Sequence, residues 1–296
     1  MYAGIIDGKA IAAKVNAATA EEAAGLYREY GVRPGLAVIL AGENPASQVY
    51  VARKVEMCEQ LGFVSRKILL PESVSQEELL KVIKDLNEDS AIHGILVQSP
   101  TPPQISERAV VEAISPRKDV DCFHPYNVGK VFLGDLSGFL PCTPWGVSVL
   151  LEESGISTAG KNVTVLGRSP IVGRPMAALL LARGKNGDAT VTVCHSRTTN
   201  LEDFTRRADI VIAALGIPRF LTADMIRKDA VVIDVGINRV PCAEKKSGFR
   251  LVGDVDFDSV CEKASAVTPV PGGVGPMTIA MLMKNAVRAC RFALNA

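Results

Sequence analysis

Short apolar runs alternate with amphipathic stretches along most of this chain. The predicted strands of the first half are 35–42, 66–70 and 94–98, and the predicted helices are 47–61, 75–86 and 106–114. Ser47 is the predicted N-cap of the first of these helices, and Ser75 with Glu78 forms a capping box on the second. This βαβαβα order indicates a mostly parallel sheet with right-handed crossovers.

The alternation breaks in a proline-rich, loop-like stretch at 115–145 and then resumes. The predicted strands of the second half are 162–166, 189–193, 209–214 and 231–235. The final helix, predicted from Thr278, has an apolar face too large for an exposed tail, so it is expected to pack back on the first half. We therefore predict two α/β domains, the first of residues 1–145 plus 273–296 and the second of residues 146–272.

Composition and charge narrow the function classes. Hydrophobic residues make up 48% and aromatic residues 5%, so the core is aliphatic, as in parallel sheets flanked by helices. The 33 Lys and Arg against 32 Asp and Glu leave a net charge of +1, which gives no reason to expect binding to nucleic acid or to an anionic membrane. No signal peptide is visible, and the apolar runs are much shorter than a membrane span, so a cytoplasmic protein is expected.

The cysteines and histidines indicate neither disulfides nor a metal site. Seven cysteines are scattered with no Cys-x-x-Cys spacing, as expected of reduced thiols in a cytosolic protein. The three histidines lie far apart in sequence, without the spacing of metal ligands. No metal is therefore predicted.

The segment 268–278 is the densest run of backbone-shaping residues. Six of its eleven residues are Gly or Pro, and it carries no charged side chain. Such a loop is either a rigid turn or the wall of a pocket where a flat ligand approaches main-chain atoms.

The predicted strand at 162–166 leads into a turn bounded by Gly167 and Gly173, and a helical stretch follows. A strand, a glycine turn and a helix N-terminus can bind a phosphate through free N–H groups. The spacing departs from Gly-x-Gly-x-x-Gly, so an ordinary strand–helix turn remains the alternative.

The end of the next strand bears on the choice of dinucleotide. In dinucleotide folds an acidic residue there binds the ribose hydroxyl of NAD. This chain has Cys-His-Ser-Arg-Thr at 194–198 instead, with Arg168 on the adjacent turn. Ser196, Arg197 and Arg168 would complement a 2′-phosphate, which favours NADP, although a solvated strand end would look the same.

Candidate chemistry in the first half centres on Lys54. Tyr50 lies one helical turn before it, Gln98 ends a predicted strand, and Asp121 lies in the loop-rich stretch. A buried Lys with a lowered pKa can exchange protons with a substrate, and a carboxylate can bind a polar heterocycle. Taken singly, the Lys could equally lie over the Tyr at the surface, and the Asp could be a turn residue.

Motifs in this order resemble those of the bifunctional methylenetetrahydrofolate dehydrogenase/methenyltetrahydrofolate cyclohydrolase family. The resemblance spans nearly the whole chain. Its motifs are Ile-Asp-Gly-Lys at 6–9, Gly-Glu-Asn-Pro-Ala-Ser-Gln-Val-Tyr-Val at 42–51, Gly-Ile-Leu-Val-Gln at 94–98, Lys-Asp-Val-Asp at 118–121, Pro-Cys-Thr-Pro at 141–144, Gly-Arg-Ser at 167–169, Asp-Val-Gly-Ile-Asn at 234–238 and the whole of 268–278.

The resemblance implies a folate-binding catalytic domain and a Rossmann-like NADP domain in a homodimer. The implied reaction oxidises 5,10-methylenetetrahydrofolate and then hydrolyses the product to 10-formyltetrahydrofolate, a part of one-carbon metabolism that serves purine, histidine and methionine biosynthesis. The implied catalytic residues are Lys54, Tyr50, Gln98 and Asp121. The implied folate contacts are these four with Val97, Ser99, Pro271, Gly272, Gly273, Val274 and Gly275, and the NADP contacts are Gly167, Arg168, Ser169, Ser196, Arg197 and Ile237.

Three positions depart from the family pattern. Ser99 stands in place of a usual Leu, Cys122 in place of a usual Gly, and Pro170 in place of a frequent Lys. The first two adjoin residues assigned to folate, whereas the third removes a positive charge near the cofactor phosphates and weakens the argument for NADP.

Three rival interpretations remain at the sequence level. An NADP dehydrogenase of the shikimate or amino-acid type would leave the Tyr50–Lys54 spacing and the 268–278 loop unexplained. A dehydrogenase without cyclohydrolase activity would not need the intact Tyr50, Lys54 and Gln98. A non-catalytic folate-binding paralogue would not need to retain both Lys54 and Asp121.

Overall fold

The computed structural model describes residues 2–245 and 248–295, which form two compact units. We name each unit after its main sheet. The three-stranded unit comprises Lys14–Lys130, Asp135–Cys142 and Ile279–Ala296. The six-stranded unit comprises Met1–Ala13, Val131–Gly134 and Thr143–Thr278.

Strands and helices alternate along both units. The strands are β1 (Gly4–Ile5), β2 (Gly35–Ala41), β3 (Val64–Leu70), β4 (Gly94–Val97), β5 (Asn162–Leu166), β6 (Thr190–Cys194), β7 (Ile210–Ala213), β8 (Val231–Asp234), β9 (Asn238–Pro241), β10 (Phe249–Val252) and β11 (Ala266–Val267). The helices are α1 (Gly8–Tyr30), α2 (Pro45–Gln60), α3 (Gln76–Glu88), α4 (Glu107–Ala113), α5 (Pro125–Phe132), α6 (Cys142–Glu153), α7 (Gly173–Leu181), α8 (Leu201–Thr205), α9 (Phe257–Cys261) and α10 (Val274–Leu294), with a 3₁₀ turn at Ala223–Met225.

The three-stranded unit has a parallel sheet in the order β3-β2-β4. The central strand β2 is buried along its whole length, which its unbroken apolar sequence requires. Its Ile39 packs in one core with Leu79 and Ile83 of α3. Because the carboxyl ends of parallel strands share an edge, this sheet places residue 98 at the same edge as residue 42.

The six-stranded unit has a wholly parallel sheet in the order β1-β11-β8-β7-β5-β6. The chain passes from β5 to β6 on one side and then to β7 on the other side of β5. Such a reversal creates a crevice at the carboxyl ends, where α/β proteins bind nucleotides. The strands β9 and β10 form a separate antiparallel pair. The prediction of α/β architecture with parallel sheets is confirmed.

Some local predictions need correction. The N-cap of α2 is Asn44, not Ser47, because its side chain accepts hydrogen bonds from the N–H groups of Ala46 and Ser47, and Pro45 occupies the first turn. The capping box of Ser75 and Glu78 is present at α3. The last helix begins at Val274 rather than at Thr278.

The stretch predicted as loop-rich contains α5 and the start of α6. Pro125 is the first residue of α5, and Pro144 lies in the first turn of α6, where a missing N–H costs little. At the other end of the chain, β1 pairs with β11, so residues 1–13 group with the six-stranded unit rather than with residues 14–130. Within the described ranges, no helix is both long and apolar enough to span a bilayer.

Candidate active site

Lys54 and Gln98 meet in the three-stranded unit. Lys54 lies on α2, and Gln98 follows the last residue of β4, Val97. The Lys54 Nζ donates a hydrogen bond of 3.0 Å to Gln98 Oε1, and the Gln98 amide in turn donates to the Ser99 carbonyl at 2.7 Å. The amide is therefore held in one orientation, with its oxygen toward the amine.

The ionisation of this site is shifted by burial. Loss of solvent lowers the pKa of Lys54, and the charge of Asp121 opposes that change. Burial also raises the pKa of Asp121 to about 6, with Lys54 acting in the opposite direction. A half-buried amine whose pKa is lowered releases its proton more readily than an ordinary lysine, and it can then accept one from a substrate.

The two aspartates of the Lys-Asp-Val-Asp motif have different roles. Asp119 is buried and its carboxylate accepts hydrogen bonds from the N–H groups of Phe123 and His124, so it shapes the loop. Asp121 is only half buried, and its Oδ1 lies 3.9 Å from Cys142 Sγ. Of the pair, Asp121 is the carboxylate placed to meet a ligand.

One supporting residue, Asn285, was not expected from the sequence. The amide of the fully buried Asn285 donates hydrogen bonds to the carbonyls of Val120 at 2.7 Å and Leu140 at 2.8 Å, and lies 3.6 Å from Cys142 Sγ. It thereby joins the loop before Asp121 to the Pro-Cys-Thr-Pro motif. The available signal was a single amide within the apolar face of α10.

Three other positions noted in the sequence lie close along the chain to residues of this site, and they differ in exposure and backbone conformation. Tyr50 is half-buried on the same face of α2, one turn before Lys54. Ser99 is exposed. Cys122 adopts a φ of +61°, the left-handed conformation that favours glycine, which agrees with the Gly usual at this position.

The predicted phosphate turn follows β5 at the reversal of strand order. Gly167 has a φ of +117°, and a Cβ there would lie 2.1 Å from the carbonyl oxygen of Ala214. A Cβ on Gly173, the first residue of α7, would lie 2.2 Å from the Gly167 oxygen. The Ser169 hydroxyl accepts hydrogen bonds from the N–H groups of Val172 and Gly173. Both glycines are required because the turn folds tightly onto the strand and the helix.

The remaining predicted cofactor residues lie along the same edge. Ser196 and Arg197 follow β6 and are exposed, and Arg168 on the neighbouring turn is exposed as well. Ile237 lies in the loop that follows β8, and its side chain is exposed as well. One edge of one sheet therefore carries all six residues predicted for NADP.

The Pro/Gly segment 268–278 is anchored at its first residue. The buried Thr268 hydroxyl accepts a hydrogen bond of 2.7 Å from the Asp234 N–H. A Cβ on Gly273 would lie 2.7 Å from the Pro269 oxygen, so the loop is folded tightly on itself. The same loop lies against the start of α1, where a Cβ on Gly8 would overlap the Gly273 carbonyl. That Pro271–Gly275 borders folate stays a prediction.

Metal-binding chemistry finds no support in residues 2–245 and 248–295. No group of three or more His, Cys, Asp or Glu side chains there lies close enough to hold an ion.

Comparison with known proteins assigns both halves of the chain to one family. The model of the tetrahydrofolate dehydrogenase/cyclohydrolase catalytic domain matches residues 6–121, and the model of the NAD(P)-binding domain of the same enzymes matches residues 141–294. The bifunctional protein FolD of Moorella thermoacetica is 57% identical over 291 residues, which cover 98% of this chain and 100% of the relative.

Solved structures agree over the same extent. The methylenetetrahydrofolate dehydrogenase-cyclohydrolase of Trypanosoma brucei, complexed with NADP cofactor and inhibitor, has a TM-score of 0.95 and 43% identity, covering 100% of both chains. The FolD enzyme of Campylobacter jejuni has a TM-score of 0.91 and 49% identity, covering 97% of this chain and 98% of that one. The chain belongs to the tetrahydrofolate dehydrogenase/cyclohydrolase family.

Proposed function

We propose that this enzyme catalyses two successive steps. It oxidises 5,10-methylenetetrahydrofolate to the 5,10-methenyl form with NADP, and it then hydrolyses that cation to 10-formyltetrahydrofolate. The observation that carries the proposal is the hydrogen bond of 3.0 Å between Lys54 Nζ and Gln98 Oε1, beside a carboxylate with a raised pKa. This arrangement suits proton transfer, which hydrolysis requires and oxidation does not.

The carboxyl edge of the six-stranded sheet fits a dinucleotide. A side chain at Gly167 or Gly173 would fill the turn where a pyrophosphate needs bare main chain. Arg168 and Arg197 are exposed and would bind a 2′-phosphate, and no carboxylate occupies 194–198. When bound, NADP supplies the hydride acceptor, and the protein supplies its orientation.

Lys54 is the group proposed to handle protons during hydrolysis. A water molecule adds to the methenyl carbon, the bond from that carbon to N5 breaks, and one proton is released overall. The neutral amine of Lys54 takes the proton from the attacking water, and the ammonium returns one to N5 as that bond breaks. Gln98 holds the amine in place through the hydrogen bond to its Oε1.

Asp121 and Tyr50 are proposed to bind the folate. The carboxylate of Asp121 would accept hydrogen bonds from N–H groups of the pterin, and Tyr50 would stack on the aromatic part of the substrate. The half-exposed position of both side chains supports this role, because a fully buried group could not reach a ligand.

Two assays on the purified parent protein test the proposal. One follows NADPH formation from methylenetetrahydrofolate, and the other follows the decay of methenyltetrahydrofolate without NADP. Both rates should exceed the rates in buffer. NADPH formation without enhanced decay would indicate a dehydrogenase alone, and neither signal would indicate a binding protein. A parallel run with NAD settles the choice of cofactor.

The biological setting is proposed from the family resemblance. The chain is expected to act in the cytoplasm as a homodimer formed through its cofactor domain, and to supply one-carbon units for purine, histidine and methionine biosynthesis. The assignment of residues 1–145 plus 273–296 to folate and 146–272 to NADP belongs to the same proposal. Light scattering on the purified chain would test the dimer, and a monomer mass would contradict it.

A further inference from the structure

A buried carboxylate joins two loops at the carboxyl edge of the six-stranded sheet. Asp254 is fully buried, and its Oδ2 accepts hydrogen bonds from the N–H groups of Leu215 at 2.6 Å and Gly216 at 2.8 Å. Its Oδ1 accepts a third from the side-chain amide of Asn238 at 2.8 Å. The catalytic scheme above gives Asp254 no role.

The loops that Asp254 holds follow two neighbouring strands. Leu215 and Gly216 come just after β7, and Asn238 is the first residue of β9, directly after the loop 235–237 that follows β8. The first loop begins at Ala214, whose carbonyl lies against Gly167 of the phosphate turn. The second contains Ile237. Asp254 thus connects two segments that flank the predicted cofactor residues.

One glycine and a second carboxylate fix the position of Asp254 itself. Its N–H donates a hydrogen bond to Asp234 Oδ1 at 2.9 Å, and its carbonyl accepts one from Leu221. A Cβ on Gly236 would lie 2.3 Å from Asp254 Oδ1, so only glycine allows the main chain to approach the carboxylate this closely. Asp254 is closely packed and bonds to both segments. We therefore infer that the conformation of these segments depends on Asp254.

The strand order indicates which part of a dinucleotide these loops would meet. In this class of fold the adenosine lies over the strand next to the central one, here β6, and the pyrophosphate lies at the turn after β5. The strands β7 and β8 lie on the opposite side of β5. The second nucleotide of a bound dinucleotide, which carries the nicotinamide, would therefore extend over the ends of β7 and β8.

We propose that Asp254 is a positioning residue for the nicotinamide half of the cofactor, acting through the main chain at 215–216 and the side chain of Asn238. This inference rests on the proposed NADP-linked function. Asp254 does not touch the cofactor; it holds the two loops in the conformation that binds it. The cyclohydrolase step needs no cofactor, so it provides a measure of folding within the same protein.

The test measures both activities in Asp254→Ala. We expect the KM for NADP to rise at least about tenfold, with the folate KM and the cyclohydrolase rate within about twofold of the parent. In Asp254→Asn one oxygen can still accept from Leu215 and Gly216, so this conservative variant should restore the NADP KM to within about threefold.

Asp209→Ala is the matched control. Asp209 also accepts a main-chain hydrogen bond, from Asn162 at 2.8 Å, but it precedes β7 and so lies at the amino edge of the same sheet. Its NADP KM should stay within about twofold of the parent, whatever stability it loses. If Asp254→Ala does not fold, Asn238→Leu removes only the third contact and should raise the NADP KM by about threefold.

An unchanged NADP KM in Asp254→Ala, or in Asn238→Leu where that variant replaces it, would overturn the inference. So would a fall in the cyclohydrolase rate equal to the fall in the dehydrogenase rate. A parent protein without NADP-linked activity would instead refute the proposed function, before any variant is made.

Discussion

The two units present their chemistry in different ways. In the three-stranded unit, the candidate site consists of side chains whose protonation is altered by burial, with Lys54 at its centre. In the six-stranded unit, the candidate site is mainly main chain, shaped by glycines and held by buried carboxylates. Proton transfer needs titratable groups, whereas binding a pyrophosphate needs N–H groups that no side chain obstructs. Substitutions in the three-stranded unit should therefore impair proton transfer, and substitutions in the six-stranded unit should impair cofactor binding.

The largest expected effect is the loss of hydrolysis in Lys54→Met. Methionine keeps most of the length of the side chain but has no proton to exchange. We expect the cyclohydrolase rate to fall by about 10²–10⁴, the usual contribution of a general acid–base group. Folate binding should stay within about threefold of the parent, as measured by titration. Arg53→Met, at the exposed neighbouring position, is the control and should be fully active.

A methyl group at Gly173 should produce the opposite pattern. In Gly173→Ala the added Cβ meets the Gly167 carbonyl, so the phosphate turn must move. We expect the KM for NADP to rise by roughly 10- to 100-fold with the cyclohydrolase rate unchanged. In Gly4→Ala the added Cβ would lie 3.5 Å from its nearest neighbour, an ordinary contact, and both activities should persist. Loss of hydrolysis in Gly173→Ala would contradict the assignment of hydrolysis to the three-stranded unit and of cofactor binding to the six-stranded unit.

Local sequence rules predicted much of the fold because they depend on neighbouring residues. The apolar run at 35–42, bounded by glycines, predicted the buried strand β2, and Ser75 was predicted to cap α3 because Glu78 lies three residues later. The pairing of Gly4–Ile5 with Ala266–Val267 could not be predicted, since two residues have no period and the partner is far along the chain. The starts of α5 and α6 were predicted as loop because proline is common both in the first turn of a helix and in loops.

In the candidate sites too, the residues predicted from the sequence are those whose position follows from a local pattern. Gln98 was expected at the crevice because it ends a strand, and its place beside Lys54 was implied by the family resemblance. Asp254 and Asn285 were not anticipated. Their partners are main-chain groups 39 and 165 positions away in the sequence. Any residue type can supply a main-chain group, so the sequence does not show which residues form these hydrogen bonds. Supporting residues of this kind require the structure.

A smaller effect is expected on cofactor choice. Arg197 is exposed, and its guanidinium would pair with a 2′-phosphate in solvent. In Arg197→Ala the KM for NADP should rise by about three- to tenfold, while the KM for NAD should not change. Equal changes for both cofactors would mean that Arg197 does not contact the 2′-phosphate.

The weakest test concerns stability in the six-stranded unit. Burial and then the charge of Asp254 raise the pKa of Asp234 to about 7, against the lowering effect of main-chain N–H donors. A group whose pKa is raised by folding stabilises the folded state. This contribution is complete at a pH below the pKa of the unfolded chain, near 3.9, and it is lost as the pH rises through about 7.

In Asp234→Asn that dependence should disappear. The free energy of unfolding of the parent relative to the variant should decline by about 2–4 kcal/mol between pH 4 and pH 7.5, measured by urea unfolding at both values. A difference that stays constant, or grows with pH, would contradict the buried, protonated carboxyl.

The central claim is that hydrolysis uses the amine of Lys54, whose pKa its surroundings determine. The most direct test is the pH dependence of the cyclohydrolase kcat in the parent and in Asp121→Asn, with saturating folate. Removing the carboxylate charge lowers the pKa of Lys54 further, so the rising limb of the profile should move to lower pH. A limb that stays in place or moves to higher pH would contradict the account.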